Sequence, residues 1–391
     1  MNTIILQKEI QRFINENLKS DINKLILKGS PFKGVSIQEL ANQIIAKQKS
    51  EIKLPTWFNA EKIYYPQKIS IEQTSSEITA EYKSKLITGD TFIDITGGFG
   101  IDCYAFAKQL KKVVHCEINV ALSEVVAYNY QQLKITNIAT VAKNGIDYLK
   151  STDQKFDCIY IDPSRRHDIK GKVFLLNDCL PNVPENLDFF FTKSDTILIK
   201  NSPILDITST INELKFVKEI HVVSIKNEVK ELLFLLKKEH KGFIEVKTLN
   251  VLKNNNEEFN FKLNRTLNTT YSAPLNFLYE PNAAILKSGG FNEVSNQLKV
   301  NKLHQHSHLY TSKELIEFFP GRTFKVNTII PYNKKKIKKL ITKANITTRN
   351  FPKTVAQIRI ETKLKDGGDT YLFFTTNVNN ELIVISCTKI K

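Results

Sequence analysis

Residues 91–102 read Thr91-Phe-Ile-Asp94-Ile-Thr96-Gly97-Gly98-Phe99-Gly100-Ile-Asp102: an apolar β-branched run, an acid, three glycines within four positions, then a stretch at helical spacing. Glycines at a strand-to-helix junction allow a tight turn and let a ligand approach the backbone closely. A purely structural junction would use them too, so the surroundings decide. Working outward, short β-branched runs recur as KVVHCEI (112–118), IATVAKN (138–144), FDCIYID (156–162), DTILIKN (195–201), EIHVVSI (219–225) and ELLFLLKK (231–238), with helical stretches between them. That alternation predicts βαβ units, hence a parallel sheet with helices on both faces and a last strand set antiparallel. The fold class expected is α/β.

Glu117 stands 23 residues after Asp94 at the end of the next strand, where a carboxylate can accept both hydroxyls of a ribose. That spacing suits S-adenosylmethionine (SAM) and a dinucleotide equally. The acid before the glycines and the lack of G-x-G-x-x-G favour SAM, which has no pyrophosphate to cradle and an amino-acid end to hold. The cofactor set expected is Asp94, Thr96, Gly97, Gly98, Gly100, Asp102 and Glu117. Asn144 and Asp147 follow the third strand and are candidates for the adenine amine. Asp147 could equally cap the helix that begins there.

The fourth strand ends in Asp162-Pro163-Ser164-Arg165-Arg166 and the fifth in Lys200-Asn201-Ser202-Pro203. Ligands of such folds gather at the carboxyl ends of parallel strands. Asp162, Pro163, Arg165 and Lys200 are therefore the catalytic candidates. Lys200 reads as a base, as a phosphate contact or as an ordinary edge lysine. Two arginines beside a cationic cofactor make sense only if something anionic approaches, and a phosphate backbone is the obvious choice, with Arg166 as a contact.

The 391 residues carry a formal net charge of +16. From position 246 onward there are 23 Lys plus Arg against 10 Asp plus Glu, or +13, so most of the excess lies in the C-terminal part. One segment contacting a polyanion while another does chemistry would produce that asymmetry, as would a lysine-rich genome. Lys334, Lys335, Lys338, Lys339, Lys343, Arg349 and Arg359 are the expected contacts to a nucleic acid, which the resemblance given below makes an RNA. The five cysteines show no metal-ligand spacing and read as reduced thiols, so no metal is expected. Charges within the first ten or so residues break any signal-peptide core, and no apolar run nears ~20 residues. A cytoplasmic protein without a membrane span is the expectation.

Residues 1–80 read as an N-terminal helical region with a capping box at Ser36 and Glu39, and the segment 53–57 as a linker anchored by Trp57. The catalytic domain follows at 81–245. An α+β appendage closes the chain, with a basic helix over 334–343 and a hairpin expected through Asp366-Gly-Gly-Asp369.

Several blocks in order carry a resemblance: Glu72-Gln-Thr-Ser-Ser76-Glu77 with Tyr82-Lys83, DITGGFGID, YIDPSRR, LIKNSPILDI, Tyr279-Glu280-Pro281-Asn282, Phe318-Phe-Pro320-Gly321-Arg322 and Arg349-Asn350-Phe351-Pro352. From about residue 70 onward the chain resembles a bacterial class I methyltransferase family that ends in a ferredoxin-like segment and a THUMP-like domain. The resemblance implies a Rossmann-like SAM-binding domain, a ferredoxin-like segment at 246–322 and a THUMP-like domain at 323–391. It also implies that Asp94, Gly97, Gly98 and Gly100 hold the methionine end of SAM and Glu117 the ribose, beside a module similar to the RNA-binding THUMP domain of tRNA-modifying enzymes; the expected substrate is a structured RNA, tRNA or rRNA. One departure matters. Enzymes that methylate exocyclic amines usually follow the motif's proline with a second proline and an aromatic, and here Ser164-Arg165 follow Pro163. Methylation at pyrimidine carbon five needs a thiolate, and the nearest, Cys179, is expected in a helical stretch. Two rival classes stay open: a methyltransferase for a small molecule or a protein, and a non-catalytic RNA-binding protein with a relic Rossmann-like domain.

Overall fold

The computed structural model describes residues 1–165 and 175–390. In chain order the strands are β1 (Thr91–Asp94), β2 (Lys112–Cys116), β3 (Ile138–Val141), β4 (Cys158–Ile161), β5 (Ser164–Arg165), β6 (Cys179–Leu180), β7 (Thr196–Asn201), β8 (Val217–Ile225) and β9 (Glu228–Lys237). They continue as β10 (Glu245–Val251), β11 (Asn256–Lys262), β12 (Phe277–Pro281), β13 (Asn301–Lys302), β14 (Tyr310–Ser312), β15 (Gly321–Pro331), β16 (Asn345–Arg349), β17 (Thr370–Thr376) and β18 (Leu382–Lys389). The chain divides into two compact units, Met1–Val217 with Phe234–His240, and Lys218–Leu233 with Lys241–Lys391.

The first unit holds the parallel run β3-β2-β1-β4-β7, with β9 next to β7. Central strands buried on both faces read as continuous apolar runs rather than alternating ones. All four residues of β4 are buried, and so are Phe92 and Ile93 of β1. Phe92 stacks on Phe106 of the helix Ile101–Ala107 at 3.9 Å between ring centres, which fixes that helix on the sheet. The N-terminal helices form their own small core around Ile5, Ile10, Ile14, Leu40 and Ile44. Ser36 and Glu39 form the expected capping box at the start of the helix Ile37–Lys53. Residues 55–59 are a short helix rather than a linker, because Pro55 at its first position presets the turn. Its Trp57 is fully buried, 4.6 Å from the Tyr104 ring.

The second unit holds the seven-stranded sheet β13-β14-β12-β15-β18-β17-β16 together with the run β11-β10-β8. Its core places Leu278 and Phe324 with Phe373 and Ile385 on one side, and Ile337, Ile358 and Leu372 with Phe374 on the other. The hairpin expected at 366–369 is not there. Asp366-Gly-Gly-Asp369 links the helix Val355–Thr362 to β17, with Gly367 and Gly368 at positive φ. The chain reverses instead after Thr376, where β17 meets β18 antiparallel; the Asn377 side chain accepts the Asn379 and Glu381 N–H groups and closes that turn. The basic helix is shorter than expected, Lys334–Leu340, capped by Asn333.

Candidate active site

Asp94 closes the turn that follows β1. Buried, it accepts the N–H and hydroxyl of Thr96 at 2.8 and 3.0 Å, and the Cys103 thiol reaches its other oxygen at 3.6 Å. Burial pushes its pKa up to about 7, opposed by the Thr96 N–H and reinforced by the negative charge of Asp102. The Thr96 hydroxyl also accepts the Asp162 N–H at 2.7 Å, which ties the glycine turn to the end of β4.

Two of the glycines are demanded by space. A Cβ on Gly97 would lie 2.3 Å from the His115 ring, and one on Gly100, at φ +79°, would lie 2.1 Å from the Tyr130 hydroxyl. That hydroxyl donates to the Gly100 carbonyl at 2.7 Å. Burial pushes His115 down to about 4, so the ring is neutral at physiological pH. Its Nε2 faces the Gly98 carbonyl at 3.2 Å, which assigns the proton to that nitrogen. Nothing in the sequence pattern singled out His115 or Tyr130 as the wall behind this loop.

Glu117 lies just past β2 and is half-buried. One of its oxygens accepts the Gly98 N–H at 2.9 Å, the other the Asn119 N–H at 2.7 Å. An ionised carboxylate has about four acceptor positions, so two remain for a pair of neighbouring hydroxyls. Beside it stands Ile118, exposed and apolar, which sequence reading passed over although its place after Glu117 was a signal. At the next strand end the cap is Asn144, whose side chain accepts the Ile146 and Asp147 N–H groups at 2.9 and 3.2 Å. Asp147 is not the cap; it is exposed in the first turn.

Asp102 lies in a polar cluster beneath the turn. The fully buried Lys83 reaches one of its oxygens at 3.1 Å, and Ser75 and Tyr160 donate to the other at 2.8 and 2.9 Å. Burial alone would raise the Asp102 pKa, but the charges of Lys83 and Lys200 and the two hydroxyl donors outweigh it and hold it below the usual range. These contacts engage Asp102 within the protein.

At the sheet's carboxyl edge Asp162 meets Lys200. Ile161 pairs with Ile199 across β4 and β7, so the next residues fall side by side, with Nζ 2.5 Å from Oδ2. An ammonium paired this way has no lone pair for a proton, so the geometry suits holding charge better than acting as a base. Beyond Pro163, β5 pairs antiparallel with β6, Ser164 opposite Leu180 and Arg165 opposite Cys179. Cys179 is therefore a buried residue of a two-residue strand and not part of a helix. Arg166 lies outside the described residues.

In the second unit Lys334, Lys335, Lys338, Lys339 and Lys343 are exposed, around the buried Ile337. The two arginines are engaged internally: Arg349 pairs with the buried Glu280 at 2.7 Å, and Arg359 pairs with Asp366 and donates to the Leu364 and Ala344 carbonyls. Among the described residues no group of three His, Cys, Asp or Glu is placed to hold a metal, and no helix is long and apolar enough to cross a membrane.

Three family models match the chain: conserved hypothetical protein 95 over residues 59–219, a ferredoxin-like domain over 277–320 and a THUMP domain-like segment over 321–389. No curated protein matches. A Porphyromonas gingivalis W83 protein described as a "putative methyltransferase" has 30% identity and a TM-score of 0.89, covering 99% of this chain and 98% of that one. A Streptococcus mutans protein described in the same words, in complex with SAH, has 13% identity and a TM-score of 0.31, covering 41% of this chain and 96% of that one. The M. jannaschii tRNA m1G37 methyltransferase has 14% identity and a TM-score of 0.30, covering 43% of this chain and 51% of that one. The last two are too distant to support any argument about this chain. Full-length similarity to the first and the order of the three models settle the family: the chain belongs to the bacterial methyltransferase family in which the catalytic domain is followed by a ferredoxin-like segment and a THUMP-like domain.

Proposed function

We propose that the protein transfers a methyl group from SAM to a base in structured RNA, tRNA or rRNA. The observation that carries this reading is the glycine turn closed onto Glu117, with the Asp162–Lys200 pair at the neighbouring strand ends. The residues fit SAM: Glu117 keeps acceptor capacity for two ribose hydroxyls, Ile118 offers an apolar face for the adenine, and Gly97 and Gly98, half-buried and without side chains, leave room at the turn for the amino-acid end. When bound, SAM supplies an electrophilic methyl on its sulfonium. The protein's part is to align and desolvate the acceptor, an effect able to contribute ~7 to 11 kcal/mol. Asp162 and the Pro163 carbonyl would accept the hydrogens of an exocyclic amine, with Lys200 holding the Asp162 charge in place. Arg165 follows on the same rim, where an RNA phosphate would approach.

Removing the carboxylate in Glu117→Ala should weaken SAM binding by roughly 1.5 to 3 kcal/mol, the cost of lost charged hydrogen bonds. Calorimetric titration measures it, and unchanged affinity would remove the cofactor assignment. The raised pKa of Asp94 gives an independent check. Below about pH 7 Asp94 is protonated, and a neutral carboxyl does not attract the SAM ammonium. Affinity should therefore climb between pH 6 and 7.5, with proton release on binding near pH 6.5, then fall again as the α-amine loses its proton near pH ~8. A flat profile would separate Asp94 from the cofactor.

The RNA part rests on the exposed lysines of the THUMP-like segment. RNA affinity should fall steeply with salt, and each lost phosphate contact should lower the logarithmic slope by ~0.7 to 0.9. A variant with Lys334, Lys335, Lys338 and Lys339 changed to Gln should bind RNA more weakly and less salt-dependently while SAM affinity stays intact. Gel-shift titrations at several salt concentrations decide, and superimposable curves would exclude this helix as a phosphate contact.

A further inference from the structure

The carboxyl edge of the first unit's sheet carries two pairs of aliphatic side chains turned to solvent. Ile118 and Val120, 69% and 56% exposed, follow Glu117 in the chain. Leu180 and Ile204, 54% and 79% exposed, belong to the segments that follow Asp162 and Lys200, Leu180 through the pairing of β6 with β5. Single exposed aliphatics are ordinary on a protein surface, and several occur elsewhere on this chain. What sets Leu180 and Ile204 apart is where the backbone holds them.

Leu180 is locked in register opposite Ser164, two residues past Asp162, by the β5–β6 pairing. Ile204 projects from the turn that follows β7, closed by the Leu205 N–H donating to the Ser202 carbonyl at 3.1 Å, while Leu205 itself is buried. Ile204 is four residues past Lys200, so chain geometry keeps its Cα within ~15 Å of the Lys200 Cα. Three prolines, Pro163, Pro181 and Pro203, stand in the same segments and limit how far these can swing. Ile204 stays largely in water and Leu180 keeps about half of its surface there, so folding alone draws little benefit from either side chain.

We propose that Leu180 and Ile204 are specificity-determining residues that clamp the faces of the methyl-accepting base, an apolar vise around a flat ring whose polar edge meets Asp162. The inference rests on the RNA-base reading above and names the part of the site that receives the base. Aliphatic side chains fit because they bury both faces of an aromatic ring without competing for its hydrogen bonds. They take the place where Ser164 leaves no aromatic in the motif itself.

Exposure makes the test clean, since neither side chain is packed in the core. Using the full chain, labelled SAM and total bacterial RNA, the double variant Leu180→Asn, Ile204→Asn should raise KM for RNA about 10-fold or more, the loss expected from two apolar contacts. SAM affinity and the melting temperature should stay at wild-type values. The conservative pair Leu180→Met, Ile204→Leu should restore KM. Wild-type KM in the asparagine variant would overturn the clamp, as would a KM change matched by an equal loss of SAM affinity. A wild-type protein that binds SAM but methylates no RNA would overturn both the clamp and the reading beneath it, a result visible before any variant is made.

Discussion

Asp162→Ala should leave SAM bound and lower methyl transfer by about 100- to 1,000-fold, the range usual for losing a positioned proton acceptor. The residue stands where the Thr96 hydroxyl joins the glycine turn to β4, but that contact uses the Asp162 backbone N–H and survives the substitution. What is lost is the carboxylate that meets Lys200, together with its hydrogen-bonding capacity toward an amine. Asp162→Asn keeps one acceptor oxygen and should fall between the two. Single-turnover assays alongside SAM titrations check this. A variant that unfolds, or that mainly loses SAM, would show Asp162 to be structural or cofactor-facing.

Lys83→Ala should destabilise the protein by about 3 to 5 kcal/mol, the penalty for stranding a buried charge. Lys83 is fully buried on the helix Glu77–Ser84 and reaches both Asp102, at 3.1 Å, and the Ser75 hydroxyl, at 2.8 Å. Removing it leaves the buried Asp102 with only two hydroxyl donors and the more distant charge of Lys200. A second substitution, Asp102→Asn, should recover much of the loss, because it removes the charge that had been left alone. Urea unfolding of the single and double variants measures both effects, and a single-variant loss under about 1 kcal/mol would show the pair to be weakly coupled.

These two sites mark where the sequence was readable and where it was not. The strand ends were readable because period and glycine placement are local: Asp94, Gly97, Gly100 and Glu117 fell where a strand-turn-helix unit must put them, as did the capping box at Ser36. The Asp162–Lys200 contact needed the register of β4 against β7, which links residues 38 positions apart and has no local signature. Lys83 reads as a surface lysine until its helix is seen to bury Thr79, Ala80, Lys83 and Ser84 on one face. That spacing was present in the sequence, and the lysine sits on its buried stripe. Cys179 was misplaced because a two-residue strand carries no periodicity, and the C-terminal reversal because Asp-Gly-Gly-Asp is equally good at ending a helix as at turning a hairpin.

The most direct test of the whole account is to incubate the purified protein with methyl-labelled SAM and total bacterial RNA and to analyse the digested nucleosides by mass spectrometry. Label in one modified nucleoside, absent when Asp162 is changed to Ala, is the result the account predicts. Tight SAM binding with no label in any nucleoside would contradict it and direct attention to a small-molecule or protein acceptor.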